Sequence, residues 1–354
     1  MNPTEQIRLA RILDAAANRA REALRVLEDY CRFTLNDAFL SGELKRLRHE
    51  LADALAVLPN QHLLEARETQ RDVGRDLTAS GEESRQSLAA VLQANCKRLQ
   101  EALRSLEEFG KVRSPELGRT LEKLRYQSYT IERAVTLGGL AQERLAAVRL
   151  CVLITESSCA GPMDRIVQEA AAGGAGMIQL REKHLSDKQL LESARKVRRW
   201  TSQAGVLFIV NDRPDIARLA NADGVHLGQD DMPVMEARQI LGPDLLIGVS
   251  THTLNQVRQA VLDGASYIGV GPTFPSGTKD FAAFPGLELV REAMRETSLP
   301  AFAIGGVSVE NIGQAAAAGA RRVAVSQAIC QASNPRLVGE ELLKELGLRD
   351  AEPR

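Results

Sequence analysis

Long uncharged apolar runs are missing from this sequence, and so is the pattern of a secretory signal. No stretch of about 18 such residues occurs, which argues against a membrane-spanning helix. The first twenty residues, MNPTEQIRLARILDAAANRA, carry acidic residues early and no apolar core, so we expect no signal peptide. The five cysteines are dispersed, and neither a CxxC pair nor a matching histidine spacing suggests zinc. Free thiols fit a reducing compartment, so we expect a cytoplasmic protein.

An excess of charge of either sign is also missing. The 354 residues contain 45 lysines and arginines against 46 aspartates and glutamates, a net charge of -1. This balance disfavours nucleic acid or an anionic membrane as the main partner. The length predicts two domains, or one large barrel with an extension. The hydrophobic share of 44% is sufficient for packed cores and excludes wholesale disorder.

Several catalytic and nucleotide-binding signatures are absent as well. The sequence contains no GxGxxG and no Walker A lysine, which excludes the dinucleotide-binding and P-loop classes. His184, His226 and His252 have no obvious serine or cysteine partner in the order of a catalytic triad. We interpret His226, within GVHLG, as a structural or orienting residue at a strand end rather than as a general base.

The first 140 residues have the periodicity of helices. Ala20, Leu24, Leu27 and Cys31 recur at steps of three and four residues, which places them on one helix face. No stretch of this region reads clearly as a strand. A polar turn around Asn36 marks a bend between helices. The pattern therefore predicts an all-helical domain.

The helical region also contains an internal repeat. The sequence RAREALRVLEDY (19–30) aligns without a gap with RLQEALRSLEEF (98–109), and LKRLR (44–48) matches LEKLR (121–125). Similarity at such a period indicates two copies of a helical hairpin, paired into a bundle by pseudo-symmetry. We predict this all-α domain over residues 1–140, with a polar loop between the two copies.

From residue 147 the chain changes to short apolar strands that alternate with amphipathic helices. Continuous rather than alternating hydrophobicity is typical of strands buried on both faces. A doubly wound sheet usually ends at about five or six strands, whereas eight β–α units predict a (β/α)8 TIM barrel, which we assign to residues 147–345. The eight predicted strands span 148–155, 176–181, 206–211, 224–228, 245–250, 266–271, 300–305 and 321–326.

Polar residues occur where the predicted strands end, and in such barrels that is where the active site lies. Alternation along strand two places Gln179, Arg181 and Lys183 on one side. The next three strands end in, or are followed by, Asn211, Asp212, Asp231 and Ser250. Two cations and several oxygen ligands at one rim indicate a site for a magnesium-bound diphosphate, since Mg²⁺ prefers carboxylates, phosphates and water. Ion pairs across the barrel rim are the alternative.

A second anion site is predicted around the last three strands. Loops after strands seven and eight usually bind phosphate through backbone N–H groups, and here those strands end in IGGV and VSQA, with Gly306 and Ser326. A long loop after strand six, residues 271–286, has the hydroxyls and the cation to hold an anion, although a merely solvated loop is the alternative. Its candidate residues are Ser276, Gly277, Thr278 and Lys279.

Seven motifs between residues 148 and 340 occur in the order and with the spacing of a known enzyme family. They are QLREK (179–183), VNDRPDIA (210–217), ADGVHLGQDDMP (222–233), IGVSTHT (247–253), GVGPTFPSGTKD (269–280), AIGGV (303–307) and AVSQAI (324–329). Together they resemble thiamine-phosphate synthase. The resemblance implies a transferase of thiamine biosynthesis. It would join 4-amino-5-hydroxymethyl-2-methylpyrimidine diphosphate to thiazole ethyl phosphate carboxylate, by a dissociative, magnesium-assisted reaction that releases diphosphate.

The resemblance also implies roles for individual residues. The pyrimidine diphosphate would be held by Gln179, Arg181, Glu182, Lys183, Asn211, Ser250 and Lys279, and the catalytic residues among them would be Arg181, Lys183, Ser250 and Lys279. Magnesium would be bound by Asp212 and Asp231. The thiazole phosphate would be bound by Ser276, Gly277, Thr278, Gly306, Val325 and Ser326. Ser276 stands where the family usually has threonine, and the hydroxyl is kept.

The helical region resembles an N-terminal extension found on some members of this family. That resemblance suggests a kinase that converts the pyrimidine monophosphate into the diphosphate. A polar pocket for it would use Asn18, Arg19, Glu22, Arg25, Glu28, Asp29 and Arg32, with Arg71 and Asp72. Arginine and glutamate at helical spacing more often form a solvated, ion-paired face. We therefore favour a structural or oligomerising role over kinase catalysis.

Two other functions stay open for the barrel. A thiazole tautomerase of the same superfamily would bind the thiazole phosphate but no metal diphosphate, and the joint presence of Arg181, Lys183, Asp212 and Asp231 argues against it. A non-catalytic metabolite-binding scaffold is the third hypothesis. The expected partners are phosphorylated small molecules rather than nucleic acid or membranes, and a homo-oligomer is left open.

Overall fold

The computed structural model describes residues 1–58, 60–67, 84–275 and 285–347 of the chain. The chain divides into two units, one that ends at Val135 and one that begins at Thr136. The first unit is helical, and the second contains a closed barrel of eight parallel strands. The predicted fold class, a TIM barrel preceded by an all-helical region, is confirmed. No helix in the described ranges combines the length and the apolar character needed to cross a membrane.

The helical unit consists mainly of long helices. They are α1 (Pro3–Asp29), α2 (Ala38–Leu55), α3 (Asn60–Ala66), α4 (Leu88–Arg113) and α5 (Pro115–Arg144), of which α5 continues into the second unit. A capping box starts α1: the Asn2 side chain accepts from the Glu5 N–H, and the Glu5 carboxylate accepts from the Asn2 N–H. These reciprocal bonds satisfy backbone donors that the first turn would otherwise leave unpaired.

The turn between α1 and α2 lies where the sequence predicts it. A π-helical turn, Tyr30–Leu35, ends at Asn36, which takes a left-handed conformation with φ of 53°. Asparagine tolerates this conformation better than most residues do. The next residue, Asp37, caps α2 by accepting from the Leu40 N–H at 2.8 Å. Local side-chain chemistry therefore sets this bend.

The predicted apolar face of α1 forms part of the core of the helical unit. Ala20, Leu24, Leu27 and Cys31 are all buried, as the three- and four-residue spacing requires. Helix α1 packs mainly against α4, so the two copies of the repeated sequence lie side by side. The helical interpretation of this region is confirmed.

Equivalent positions of the internal repeat form matching ion pairs. In the first copy, Arg48 Nε lies 3.3 Å from Glu28 Oε2. In the second copy the aligned residues are Arg125 and Glu107, with a distance of 2.8 Å between Nε and Oε2. The second pair is also more deeply buried, since the Glu107 side chain is only 1% exposed. The repeat thus preserves an interaction as well as a hydrophobic pattern.

The barrel alternates strands and helices. Its strands are β1 (Leu150–Ile154), β2 (Met177–Leu180), β3 (Leu207–Asn211), β4 (Gly224–Leu227), β5 (Leu246–Thr251), β6 (Tyr267–Val270), β7 (Ala301–Ile304) and β8 (Val323–Val325). Its further helices are α6 (Met163–Ala172), α7 (Asp187–Ala204), α8 (Pro214–Leu219), α9 (Val234–Leu241), α10 (Leu254–Asp263), α11 (Gly286–Glu296), α12 (Ile312–Ala317), α13 (Gln327–Cys330) and α14 (Pro335–Glu345). Each strand lies within or nearly within its predicted span, so all eight predictions are confirmed.

The barrel closes because β8 pairs in parallel with β1, with Cys151 opposite Ala324. Its interior is filled by apolar side chains from successive strands, among them Met177, Ile209 and Phe302. Such a filled barrel has no pore, so ligands bind at its ends. The strand directions place all eight carboxyl ends at one rim, which brings the candidate residues of different strands together.

Candidate active site

The first pair of predicted site residues joins β2 to β3 inside the barrel. The Gln179 side-chain amide donates to Asn211 Oδ1 at 2.6 Å. Gln179 is buried, whereas Asn211 at the end of β3 is half-buried. The bond fixes the orientation of the Asn211 amide, whose N–H side also interacts with the Asp212 carboxylate and acts to lower the pKa of that carboxyl.

An open groove lies over the ends of β1 and β2, with the side chains of Arg181, Lys183 and His184 in its lining. The backbone beneath it is held firmly, because the Arg181 carbonyl accepts from the Thr155 hydroxyl at 2.6 Å. The Glu182 carboxylate accepts from the Glu156 N–H, also at 2.6 Å. Glu182 therefore connects the loop after β1 to the end of β2. The sequence did not predict this interaction.

Asp212, directly after β3, is held in a left-handed conformation with φ of 65°. Aspartate, like asparagine, tolerates this conformation better than most non-glycine residues, and residues held in it recur at functional sites. Burial and the neighbouring Asp231 carboxyl raise the pKa of Asp212 to about 6, although Lys183 acts in the opposite direction. Lys183 Nζ lies 3.8 Å from Asp212 Oδ2.

Asp231 reaches Asp212 from the loop after β4. Its carboxylate is fixed by the backbone N–H of Gly228, which donates to Asp231 Oδ2 at 2.6 Å. The Asp231 carboxyl lies near enough to Asp212 to contribute to the raised pKa of that residue. The structure therefore brings together the two residues that the sequence predicts as metal ligands.

Ser250, near the end of β5, contacts a buried histidine. The Ser250 hydroxyl oxygen lies 2.9 Å from His226 Nε2, and His226 Nδ1 lies 3.3 Å from the Tyr267 hydroxyl. Burial lowers the pKa of His226 to about 4, so the ring is neutral near physiological pH. The sequence offered no obvious serine partner for His226, and the structure corrects this, because adjacent strands bring together residues that are far apart in the chain.

The ends of β7 and β8 contain the predicted monophosphate residues. Gly306 has φ of 66°, and a Cβ there would lie 2.8 Å from the carbonyl oxygens of Phe274 and Pro275, so only glycine fits without rearrangement. The Ser326 hydroxyl donates to the Leu153 carbonyl at 2.9 Å, and Val325 is buried within β8. Ser276, Gly277, Thr278 and Lys279 lie outside the described residues.

Comparisons with known proteins match both parts of the chain. The family model "Thiamine monophosphate synthase" matches residues 150–329, and the model "ThiD2 family" matches residues 11–134. A thiamine-phosphate synthase of a Nostoc species is 44% identical over 95% of this chain and 93% of its own. The synthase of Thermosynechococcus vestitus is 44% identical over 97% of this chain and 96% of its own.

The chain belongs to the thiamine-phosphate synthase family. It is an enzyme of thiamine biosynthesis and a transferase, as the seven motifs predict. A solved structure supports the barrel: thiamine phosphate pyrophosphorylase from Pyrococcus furiosus is 34% identical, with a TM-score of 0.52. That structure covers 57% of this chain and 96% of its own. The match of residues 11–134 to a separate family agrees with the change of periodicity in the sequence.

Proposed function

We propose that the barrel joins 4-amino-5-hydroxymethyl-2-methylpyrimidine diphosphate to thiazole ethyl phosphate carboxylate. The bond between the pyrimidine methylene carbon and the diphosphate oxygen breaks first, and the electron pair leaves with the diphosphate. The thiazole nitrogen then donates its lone pair to the methylene carbon. The carboxylate is lost as carbon dioxide, and the electron pair that it leaves on the thiazole fragment takes up a proton from solvent. The observation that carries this proposal is the convergence of the Lys183, Asp212 and Asp231 side chains beside the Gln179–Asn211 pair.

The diphosphate binds, in this proposal, at the rim formed by β2, β3 and β5. Arg181 offers two parallel N–H donors to phosphate oxygens, and Lys183 offers a compact positive charge. Asn211 and Ser250 add neutral donors from the next strands. Gln179 and Glu182 hold the neighbouring residues in place: Gln179 donates to Asn211, and Glu182 accepts from the backbone of Glu156. Lys279, outside the described residues, completes the predicted cationic set.

The carboxylates of Asp212 and Asp231 fit a divalent cation. Two adjacent carboxyl groups repel each other when both are ionised, and this repulsion contributes to the raised pKa of Asp212. Within the described ranges no group of three or more potential metal ligands converges. The pair of Asp212 and Asp231 would leave the remaining positions around a bound Mg²⁺ to phosphate and water, as this ion prefers. Mg²⁺ bound there supplies positive charge that stabilises the leaving diphosphate.

The proposed reaction needs charge neutralisation and a dry site rather than a protein nucleophile. Arg181 and Lys183 lie where negative charge grows as the carbon–oxygen bond breaks, and fixed charges act most strongly where water is excluded. Water would otherwise capture the pyrimidine cation. We assign the thiazole phosphate to the ends of β7 and β8, where Gly306, Val325 and Ser326 lie, together with Ser276, Gly277 and Thr278 of the preceding loop.

The decisive experiment supplies both substrates with and without Mg²⁺ and measures thiamine phosphate. We expect product with Mg²⁺, a large loss after chelation and a large loss in Asp212→Ala. Asp244→Ala is the matched control, because Asp244 is exposed and precedes β5, at the opposite end of the barrel. Turnover that is unaffected by Asp212→Ala would refute the proposed site. The tautomerase and the scaffold are not retained as alternatives, because the chain belongs to the synthase family.

For the helical unit we propose a structural or oligomer-forming role, with the pyrimidine monophosphate kinase as the alternative. Two of its candidate pocket residues, Arg25 and Glu28, already belong to an ion-paired face that includes Arg48. Arg71 and Asp72 lie outside the described residues. Supplying the full chain with pyrimidine monophosphate, ATP and the thiazole phosphate tests this proposal, because thiamine phosphate forms only if the chain makes the diphosphate. A cytoplasmic location and a homo-oligomer stay predictions.

A further inference from the structure

Three buried or half-buried polar side chains form a connected series inside the barrel. Tyr267 on β6 contacts His226 on β4, which contacts Ser250 on β5, through hydroxyl–Nδ1 and Nε2–hydroxyl distances of 3.3 Å and 2.9 Å. Tyr267 and His226 are only 3% and 6% exposed, whereas Ser250 is half-buried at the rim. The series therefore leads from the barrel core to a residue of the proposed diphosphate site.

Two glycines make room for the rings of this series. A Cβ at Gly248 on β5 would lie 2.1 Å from the Tyr267 ring, so no larger residue fits there unless Tyr267 moves. A Cβ at Gly269 on β6 would lie 3.3 Å from His226 Cε1, which is tighter than ordinary contact. Small residues in a strand interior mark places where another group approaches closely. The positions of the Tyr267 and His226 rings therefore depend on the absence of side chains at Gly248 and Gly269.

The direction of the hydrogen bonds follows from what each group can donate. A neutral imidazole has one N–H donor and one acceptor nitrogen. Within the described part of the chain, His226 Nδ1 is the hydrogen-bond partner found for the Tyr267 hydroxyl. Because a buried hydroxyl hydrogen without an acceptor is costly, Tyr267 donates to Nδ1. The ring proton of His226 then resides on Nε2, which donates to the Ser250 oxygen.

This direction has a consequence for Ser250. Its hydroxyl oxygen already accepts from His226, so its single hydrogen is available to an acceptor at the rim. The Gln229 side-chain amide donates to the Ser250 carbonyl at 2.6 Å, which fixes the backbone of this residue. A serine that is held in this way presents a donor rather than a nucleophile, since an activated serine must instead donate to its histidine.

We propose that His226 is a positioning residue whose Nε2–H orients the Ser250 hydroxyl as a hydrogen-bond donor to an anionic oxygen of the diphosphate substrate. This inference rests on the proposed function, which assigns the diphosphate to the rim beside Ser250. Tyr267 acts one step further away, by holding the tautomer of His226 through Nδ1. Neither residue touches the substrate.

The tautomer can be measured directly in the full-length protein. Histidine labelled with ¹⁵N distinguishes a protonated ring nitrogen from an unprotonated one by its chemical shift, and the His226 signals are assigned by their loss in His226→Gln. Near neutral pH we expect Nε2 to be protonated and Nδ1 unprotonated. In Tyr267→Phe we expect the Nδ1–H form to appear, because the donor to Nδ1 is gone. An Nδ1–H tautomer in the unsubstituted protein would overturn the proposal, whatever the kinetics show.

Kinetics test whether the orientation matters. We expect Tyr267→Phe to raise KM for the pyrimidine diphosphate about tenfold, the effect of one weakened hydrogen bond to a charged group. The same substitution should have no further effect in a Ser250→Ala background, because the hydroxyl that it orients is absent. An equal effect in both backgrounds would show that Tyr267 acts through packing and would overturn the proposal. Melting temperatures of all variants control for stability.

A pair of histidine variants provides the conservative rescue. His226→Gln can place an amide N–H near the position of Nε2, whereas His226→Asn is one methylene shorter and cannot reach Ser250. We expect the glutamine variant to keep a KM close to that of the unsubstituted protein and the asparagine variant to behave like Ser250→Ala. Equal KM values in the two variants would contradict the proposal. If Ser250→Ala itself leaves KM unchanged while the Nε2–H tautomer is observed, the assignment of Ser250 in the proposed function fails, and with it the role of His226.

Discussion

The ammonium group of Lys183 lies 3.8 Å from the carboxylate of Asp212, although the two residues follow different strands of the barrel. A lysine and an aspartate at this distance partly neutralise each other, and each can instead pair with a charged ligand of opposite sign. In the proposed reaction, Lys183 turns to the diphosphate and Asp212 to the cation. The rim thus carries one group for the diphosphate and one group for the cation, side by side.

Removal of the Lys183 ammonium should weaken diphosphate binding. We expect Lys183→Ala to lower kcat/KM for the pyrimidine diphosphate about 10- to 100-fold, because a charged hydrogen bond is worth roughly 1.5–3 kcal/mol. Lys196→Ala is the control, since it removes an equal charge from an exposed position on α7. Initial rates at varied diphosphate concentration measure both variants. Equal rates for the two would exclude a role for Lys183 in binding.

The raised pKa of Asp212 predicts a pH-dependent cost in the metal-free protein. Its native pKa of about 6 lies above the ordinary value of 3.8, so the native state binds more protons than the unfolded state between these values. The free energy of unfolding therefore falls as pH rises through this window. With metal chelated at about pH 7, Asp212→Asn should be more stable than the unsubstituted barrel by about 1–2 kcal/mol, a range reduced for solvent screening.

Two comparisons control this measurement. At about pH 4 the advantage of Asp212→Asn should nearly vanish, because the native carboxyl is then protonated. Added Mg²⁺ should stabilise the unsubstituted protein more than the variant, because a ligand stabilises the state that binds it. Denaturant titrations of the barrel at both pH values provide the data, with Asp244→Asn as the reference. A pH-independent difference would rule out the carboxyl as its source.

Substitution of Gly306 should disturb the end of β7. Gly306→Ala would force a Cβ to within 2.8 Å of two carbonyl oxygens at a φ of 66°, so the adjoining backbone must move. We expect KM for the thiazole phosphate to rise at least about tenfold, since misplaced backbone donors lose a charged hydrogen bond. Gly313→Ala on α12 is the control, because a Cβ there meets nothing within 4 Å. A comparable KM change in both would argue against phosphate binding at Gly306.

The two equivalent ion pairs of the internal repeat allow a matched test of how burial affects stability. Glu107→Gln removes one partner of a buried ion pair and leaves the Arg125 charge uncompensated, which should cost about 3–5 kcal/mol. Glu28→Gln changes the equivalent position, where the distance to Arg48 is 3.3 Å rather than 2.8 Å and the residues are less buried. We expect a cost there of about 1 kcal/mol. Thermal unfolding of the helical unit distinguishes them, and equal losses would contradict the role of burial.

Much of the fold could be predicted because it follows from local patterns. Strands buried on both faces need continuous apolar runs, and the eight runs recognised in the sequence became the eight strands of the barrel. The face of Ala20, Leu24 and Leu27 likewise follows from helical spacing. Part of the site was also predictable, because all strands of a parallel barrel end at the same rim. That rule alone brings Asp212 and Asp231 together.

The contacts inside the site could not be predicted in the same way. Nothing local relates His226 to Ser250 or Tyr267, because their approach depends on parallel register between β4, β5 and β6. Glu182 was assigned to the substrate from its motif, yet its carboxylate accepts from the backbone of Glu156. Side-chain direction at a strand end depends on the neighbouring loop, and the sequence does not encode that loop's path in any local pattern.

The sequence by itself determined the classes of structure and the polar side chains available for chemistry. These are a repeated helical region, eight buried strands, and polar residues at successive strand ends. Hydrophobic periodicity and residue type are properties of short segments, so they can be recognised in a single sequence. The tertiary structure alone decided which polar groups meet, which carboxyl group has a raised pKa, and which way a buried histidine directs a serine. Those features depend on burial and on distances of a few ångströms between strands, which exist only once the barrel has closed.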